Sequence, residues 1–134
     1  MENIAYANVI GTIMYSMIST RPDLAFSISL LRRFMSNPSK IHWEALKYLL
    51  RYINGFTDIG LIYKRKCDVF YLVGYADSDF AGDRDSRKST TAFFFTLGGN
   101  CISWKSQLQP LVALSSTEEE YVAVTDAFKE AIWL

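Results

Sequence analysis

Apolar residues recur at three- and four-residue spacing through the first half of the chain, and around Thr57 that period gives way to strand-like runs. The switch constrains the fold more than any other feature, because a helical period and a strand period cannot bury the same face. Tyr6, Val9, Ile10, Ile13, Met14 and Met17 mark one amphipathic helix. The run STRPDLAFSISLLRRFMSNP offers a Ser/Thr cap, a proline in the first turn, an early aspartate, late arginines and Asn-Pro to stop, and it predicts a second helix. A third is expected from about Ser39 to Ile53, with Trp43, Leu46, Leu49, Leu50 and Ile53 on its packed side and Asn54-Gly55 as a left-handed exit. Short links make these three an antiparallel cluster.

Beyond Thr57, IGLIYKR and CDVFYLVGYAD read as strands, the second rich in aromatic and β-branched residues. TTAFFFTLGGNCISWKS then holds two runs parted by Gly-Gly-Asn, a hairpin signal. SSTEEEYVAVTDAFKEAIWL opens on a capping-box pattern and keeps its helical period to Leu134 without a stop signal, so the chain reads as cut inside an element. The expected class is α+β: a helical cluster, then strand, hairpin and helix.

With 134 residues, half of them apolar, the chain has material for one packed domain or pieces of two. The longest apolar run, Val9 to Ile18, is interrupted by Gly11, Thr12 and Ser16, is far short of the roughly 20 residues that cross a bilayer, and follows no basic leader. No membrane partner is expected, and an intracellular location, cytoplasm or nucleus, is. Cys67 and Cys101 form no CxxC pair, which argues against a disulfide framework or a thiolate zinc site. Zero net charge hides an asymmetry. Residues 1–66 carry nine Lys/Arg against four acids, and residues 67–134 carry five against ten. A basic half suits a polyanion and an acidic half suits a cation.

The acids gather in VGYADSDFAGDRDSRKST, where Asp77, Asp79, Asp83 and Asp85 follow an apolar strand. A calcium loop fails, because Lys88 stands where the twelfth position needs a bidentate glutamate and the loop is entered from a strand. A phosphotransfer site built on Asp-x-Asp lacks the parallel sheet it would need, since a hairpin follows. A metal-dependent nuclease requires a strand aspartate joined by one inward-facing helix carboxylate. At about 100° per residue, Glu120 falls among Val124, Ala127 and Ala131, while Glu118, Glu119, Asp126 and Glu130 fall off that stripe toward solvent. Asp77 shares a strand face with Val73 and Tyr75. Asp77 and Glu120 are therefore expected to converge on Mg²⁺ or Mn²⁺, with waters and substrate phosphate completing the shell.

These residues resemble a known family. GYADSDFAGD, DSRKST, LGGNCISWKS, VALSSTEEEYVA and EAIWL closely resemble the ribonuclease H region of the Pol polyprotein of copia-type LTR retrotransposons. The front half, with YANVIGTIMYSMISTRPD, RRFM, PSKIHW and RYINGFT, is similar to the segment between the reverse-transcriptase palm and that nuclease. The resemblance implies a reverse-transcriptase thumb or connection-like helical segment over 1–66 and the front part of a ribonuclease H-like domain over 67–134. That part would be a three-stranded antiparallel meander plus one helix, with the later strands and helices missing.

In such a nuclease the RNA strand of an RNA–DNA hybrid is hydrolysed with two metal ions. The resemblance places Asp77 at the first catalytic aspartate and Glu120 at the catalytic glutamate, while two further acids would lie beyond Leu134. Glu119 stands where the family has alanine, and Gln107, Leu108, Gln109 and Pro110 replace a basic stretch. Implied partners are an RNA–DNA hybrid or duplex and the remaining Pol segments. Arg32, Arg33, Lys40, Lys47 and Arg51 are candidates for gripping the backbone of the duplex, as are Arg87 and Lys88. A catalytically dead remnant that binds nucleic acid or Pol is the alternative. His42 reads as a capping or packing residue, Trp43, Trp104 and Trp133 as packing, and Ser115, Ser116 and Thr117 as helix caps without a partner set for a serine nucleophile.

Overall fold

The computed structural model describes residues 2–65 and 70–134, with side chains from Ala5 onward in the first helix. Lys66 to Val69, including Cys67 and the expected start of the CDVFYLVGYAD strand, lie outside the described residues. Two compact units emerge, Met1–Leu61 and Ile62–Leu134.

The first unit contains α1 (Glu2–Ser19), α2 (Ala25–Leu31) and α3 (Lys40–Gly55). The single second helix expected from STRPDLAFSISLLRRFMSNP is instead a short α-helix between two 3₁₀ turns, Pro22–Leu24 and Arg32–Phe34. Pro22 has no N–H to give, and the chain tightens at both ends through Leu24 N–H to Arg21 O at 3.2 Å and Met35 N–H to Arg32 O at 3.3 Å. Tyr6, Ile10, Ile13, Leu24, Ile28, Leu31, Leu46 and Leu49 form the core. Leu50, expected on the packed side of α3, is exposed. The buried Tyr6 hydroxyl donates to Leu31 O at 3.0 Å, and burial pushes its phenol up from the ordinary value. His42 accepts from Ser39 N–H through Nδ1 at 2.9 Å and stacks on Phe34, which is the capping and packing role expected of it.

The TRPD motif closes this unit. The buried Arg21 guanidinium donates to Asp23 through Nε at 3.0 Å and Nη2 at 2.8 Å, and its Nη1 reaches Phe56 O at 3.1 Å. Tyr52 adds its hydroxyl to Asp23 Oδ2 at 3.0 Å. One side-chain cluster thus ties the entry of α2 to the exit of α3. The bond from Arg21 holds the Asp23 carboxyl below the usual carboxylate range, and Asp23 raises Arg21 in return.

In the second unit β1 (Leu72–Asp79), β2 (Thr90–Leu97) and β3 (Asn100–Leu108) form an antiparallel sheet in the order β1-β2-β3, followed by α4 (Ser116–Trp133). With four helices and this sheet the chain is α+β, as expected. Gly98 and Gly99 make the β2–β3 turn at φ +56° and +81°, a pair of left-handed residues that tolerates little but glycine or asparagine. IGLIYKR is not a strand. Lys64 instead meets the side chain of Asn100, whose Oδ1 accepts from Lys64 N–H at 2.8 Å and whose Nδ2 donates to Lys64 O at 3.0 Å. A side-chain amide satisfies the N–H and C=O of this one residue as a neighbouring strand would, without a ladder to extend it.

Phe93 and Phe95 of β2 pack against Ala127 of α4, with Ile102 and Ala131 beside them. The pairings Phe95↔Ser103 and Thr96↔Cys101 leave Ile102 as an extra residue in β3, a bulge that brings it to this small core. On the opposite face Tyr75 stacks on Phe94 with centroids 4.7 Å apart, and Phe94 pairs in register with Trp104.

Candidate functional site

Asp77 lies near the end of β1 and is exposed. Gly74 and Ala76 line a groove with Val124, Ala127 and Phe128 of α4, so strand alternation turns Ser78 toward the helix and Asp77 toward the other face. Glu120 is one helical turn before Val124, on the flank of α4 that overhangs β1, and it too is exposed. Both carboxylates expected to converge are thus exposed, and Asp77 faces away from the helix that carries Glu120.

The expected division of the helix acids is reversed at its centre. Glu119, assigned to solvent, is 3% exposed, whereas Glu120, assigned to the packed stripe, is on the surface. The cause is that α4 docks through small residues: Glu119, Ala123 and Ala127 form its buried line, and Val124 and Phe128 are left outside. Asp126 and Glu130 also turn toward the sheet, accepting from Gln107 Nε2 at 3.0 Å and Ser103 Oγ at 2.7 Å. Glu118 stays exposed and, with Ser115, caps α4. Ser115 Oγ accepts from Glu118 N–H at 3.2 Å, and Glu118 Oε2 accepts from Leu114 N–H at 2.7 Å.

Glu119 enters a buried polar knot that the sequence did not reveal. Gln109 Nε2 donates to Thr91 Oγ1 and to the backbone oxygen of Glu119, both at 3.0 Å. Thr91 is the register partner of Ser78. Gln109 Oε1, Glu119 Oε2 and Ser78 Oγ are buried there without a hydrogen-bond partner among the described residues. Gln107 and Gln109, noted as departures from a basic stretch, thus hold α4 on the sheet. The detectable signal was the line of positions 119, 123 and 127, which carries two alanines and a glutamate where the resembling family has alanine.

The loop after β1 folds on itself. Asp79 covers Gly82 so closely that a Cβ there would overlap its carboxylate. Asp83 Oδ2 accepts from Ser86 N–H and Oγ, and its backbone N–H meets Lys88 O at 3.1 Å. Arg87 is exposed with φ +59°, and Lys88 is half-buried. In the first unit Arg32, Lys40, Lys47 and Arg51 are exposed and Arg33 is half-buried. Lys40, Lys47 and Arg51 share one stripe of α3, which Glu44 interrupts, and Arg51 lies over the Tyr48 ring at 5.4 Å. Among the described residues no three His, Cys, Asp or Glu side chains gather as a metal group, and no helix is long and apolar enough to cross a membrane.

The motif order carried by this α+β frame is that of transposon-encoded Pol polyproteins. The chain belongs to the retrovirus-related Pol family of copia-type retrotransposons. It is 48% identical, over its full length, to the Retrovirus-related Pol polyprotein from transposon TNT 1-94 of Nicotiana tabacum, of which it covers 10%. It is 40% identical over 129 residues to the polyprotein from transposon RE2 of Arabidopsis thaliana, of which it covers 9%. Another relative, Secreted RxLR effector protein 161 of Plasmopara viticola, is 48% identical over all 134 residues, and there the chain covers 94% of the protein. The chain therefore spans about a tenth of the polyproteins and nearly the whole of the effector-named relative. No family model matches, and no solved structure matches.

Proposed function

We propose that this chain is the connection segment and front part of a ribonuclease H-like nuclease, a piece of a Pol polyprotein whose intact form cuts the RNA strand of an RNA–DNA hybrid. What supports the reading is the family motif order together with two exposed carboxylates, Asp77 and Glu120. They lie at the positions where the family resemblance expects the first two catalytic acids. Both are hard oxygen donors, which suits Mg²⁺ or Mn²⁺. Two side chains fall short of a closed cage, so water and phosphate oxygens would complete the shell. When bound, such ions activate a water and neutralise charge on the phosphodiester.

Asp77 and Glu120 would be this chain's own ligands to the cation, one from the strand and one from the helix. Arg32, Arg33, Lys40, Lys47 and Arg51, with Arg87 and Lys88, would hold the hybrid through phosphates without reading sequence. The remaining acids would come from further Pol segments, which are the natural partners of a chain that covers a tenth of its polyprotein relatives.

The deciding assay is Mg²⁺-dependent cleavage of a labelled RNA–DNA hybrid by the whole chain. The expected outcome is cleavage that Asp77→Asn and Glu120→Gln abolish and Glu119→Ala preserves. Hybrid that is bound and never cut, with or without Mg²⁺, overturns catalysis by this chain and favours the binding-module reading.

A further inference from the structure

Two tyrosines of α3, Tyr48 and Tyr52, line a groove between α2 and α3 together with Asp23, Phe26, Leu30 and Ala45. The groove has a volume of about 350 Å³ and turns aromatic surface to water, with Tyr48 68% exposed and Phe26 54%. A guanidinium backs each tyrosine, Arg51 over the Tyr48 ring at 5.4 Å and Arg21 over the Tyr52 ring at 5.9 Å. Tyr52 is fixed by its hydroxyl bond to Asp23 and by the Phe56 ring beside it. Asp23 in turn has its charge met by Arg21 through Nε and Nη2, so it does not repel an anion as a lone carboxylate would.

The run KYLLRY sets a cation immediately before each of these rings, Lys47 before Tyr48 and Arg51 before Tyr52, one helical turn apart. At about 100° per residue, Lys47 and Arg51 fall about 60–100° from Tyr48 on the side away from the buried Leu49, and Lys40 continues their ridge. Glu44 is the one acid on it. All three cations are exposed. A positive ridge thus runs beside an aromatic groove, on the same helix.

We propose that this groove binds single-stranded nucleic acid, with phosphates on the ridge of Lys40, Lys47 and Arg51 and an unpaired base stacked on Tyr48. The ridge selects a polyanion, and the rings select a ligand with flat faces to offer. An unpaired strand has both, whereas the base faces of a duplex are already taken by their neighbours in the stack. Arg51 does not line the groove, so it covers the Tyr48 ring from outside and leaves the groove side to the base. Every base has such a face, so the selectivity is for unpaired over paired strands and not for sequence. This site goes beyond the nuclease reading. It shares the α3 cations with that reading and needs no metal, no carboxylate ligand and no cleavage.

The test is fluorescence anisotropy of the whole chain, without divalent metal, against labelled oligoadenylate of about ten nucleotides as DNA and as RNA, an abasic DNA strand of the same length, and an RNA–DNA hybrid. The expected result is that the base-bearing strand binds about tenfold more tightly than the abasic one. Tyr48→Ala removes that difference, Tyr48→Phe keeps it, and the affinity for the hybrid is the same in all three proteins. Whichever of the DNA and RNA forms binds more tightly names the strand. Three results overturn the proposal: an abasic strand bound as tightly as the base-bearing one, a folded Tyr48→Ala chain that binds the single strand as the unaltered chain does, or polyglutamate of equal charge displacing the strand as well as unlabelled oligoadenylate does. The last would assign the groove to an acidic protein. The abasic comparison uses the unaltered chain, so it decides even where a variant fails to fold. With no metal present and no cleavage read, its failure is distinct from failure of the hybrid-cleavage assay.

Discussion

The two units bury different chemistry at their centres. In the first, eight large side chains, Tyr6 through Leu49, meet in one apolar cluster whose buried hydroxyl, on Tyr6, finds a carbonyl, and the Arg21–Asp23 ion pair of that unit is doubly hydrogen-bonded. In the second, the apolar cluster is Phe93, Phe95 and Ala127, and the helix–sheet contact also holds a polar knot in which Gln109, Glu119 and Ser78 atoms find no hydrogen-bond partner among the described residues. A core stabilises through apolar area removed from water, at about 25 cal/mol per Å², whereas a buried polar atom without a partner costs about 1–3 kcal/mol. The first unit has the interior of a self-sufficient fold. The second rests its helix on the sheet through polar contacts more than through apolar area.

This contrast is most exposed to refutation when volume is removed from the first core. Leu46→Ala, at a fully buried position, is expected to cost about 2–5 kcal/mol in urea unfolding followed by far-UV circular dichroism, because the cavity adds to the lost transfer energy. A cost below about 1 kcal/mol would mean that this core is no tighter than the second. Next comes the TRPD clasp. Arg21→Ala removes four hydrogen bonds, three to Asp23 and one to Phe56 O, and is expected to cost about 1.5–3 kcal/mol, read in the same way. Arg21→Lys should recover little of it, since an ammonium cannot reproduce the forked contact.

The second unit predicts a change of the opposite sign. Glu119→Ala takes away a buried carboxylate with an unpartnered oxygen and leaves the Gln109 bond to the backbone oxygen of residue 119 in place. It is expected to stabilise the chain by about 1–2 kcal/mol in thermal and urea unfolding, the part of the desolvation cost that the new cavity does not cancel. Destabilisation would show that a water or ion satisfies Glu119 Oε2, and that the knot is a complete network.

Local rules exposed much of this architecture in the sequence. Gly98-Gly99 announces its turn because two left-handed residues leave few other choices, and Ser39 and Ser115 announce helix starts because a hydroxyl or backbone bond at a cap is decided within four residues. What stayed hidden depends on distant partners. IGLIYKR has the composition of a strand, yet what the described residues show is a side-chain clasp of Lys64 by Asn100 rather than a ladder, and such a clasp depends on a residue 36 positions away. The α4 wheel failed for a related reason. It equated the apolar stripe with the buried face, whereas the helix docks on alanines and leaves Val124 and Phe128 over the groove. Asp77 and Glu120 were legible as candidates through wording and spacing. Glu119, at the centre of the contact, was not, because charge alone argues for the surface.

The mildest of these effects falls on acid stability, and it separates the units by the chemistry of Asp23. Its carboxyl is held below the usual carboxylate range, first by the Arg21 hydrogen bond, opposed by partial burial, with Tyr52 assisting. A carboxylate whose folded value is depressed binds its proton more readily in the unfolded chain. Its contribution is therefore fully present above about pH 4 and is lost as pH falls through the lower folded value. Unfolding midpoints measured from about pH 6 to about pH 2 should show a decline below about pH 4 that is shallower in Asp23→Asn, whose side chain carries no titrating proton. The variant should be the less stable protein at the upper end of that range, and the two curves should approach one another at the acid end. Parallel curves across the whole range would mean that the Arg21–Asp23 bond adds no charge-dependent stability, and that apolar packing alone distinguishes the first unit from the second.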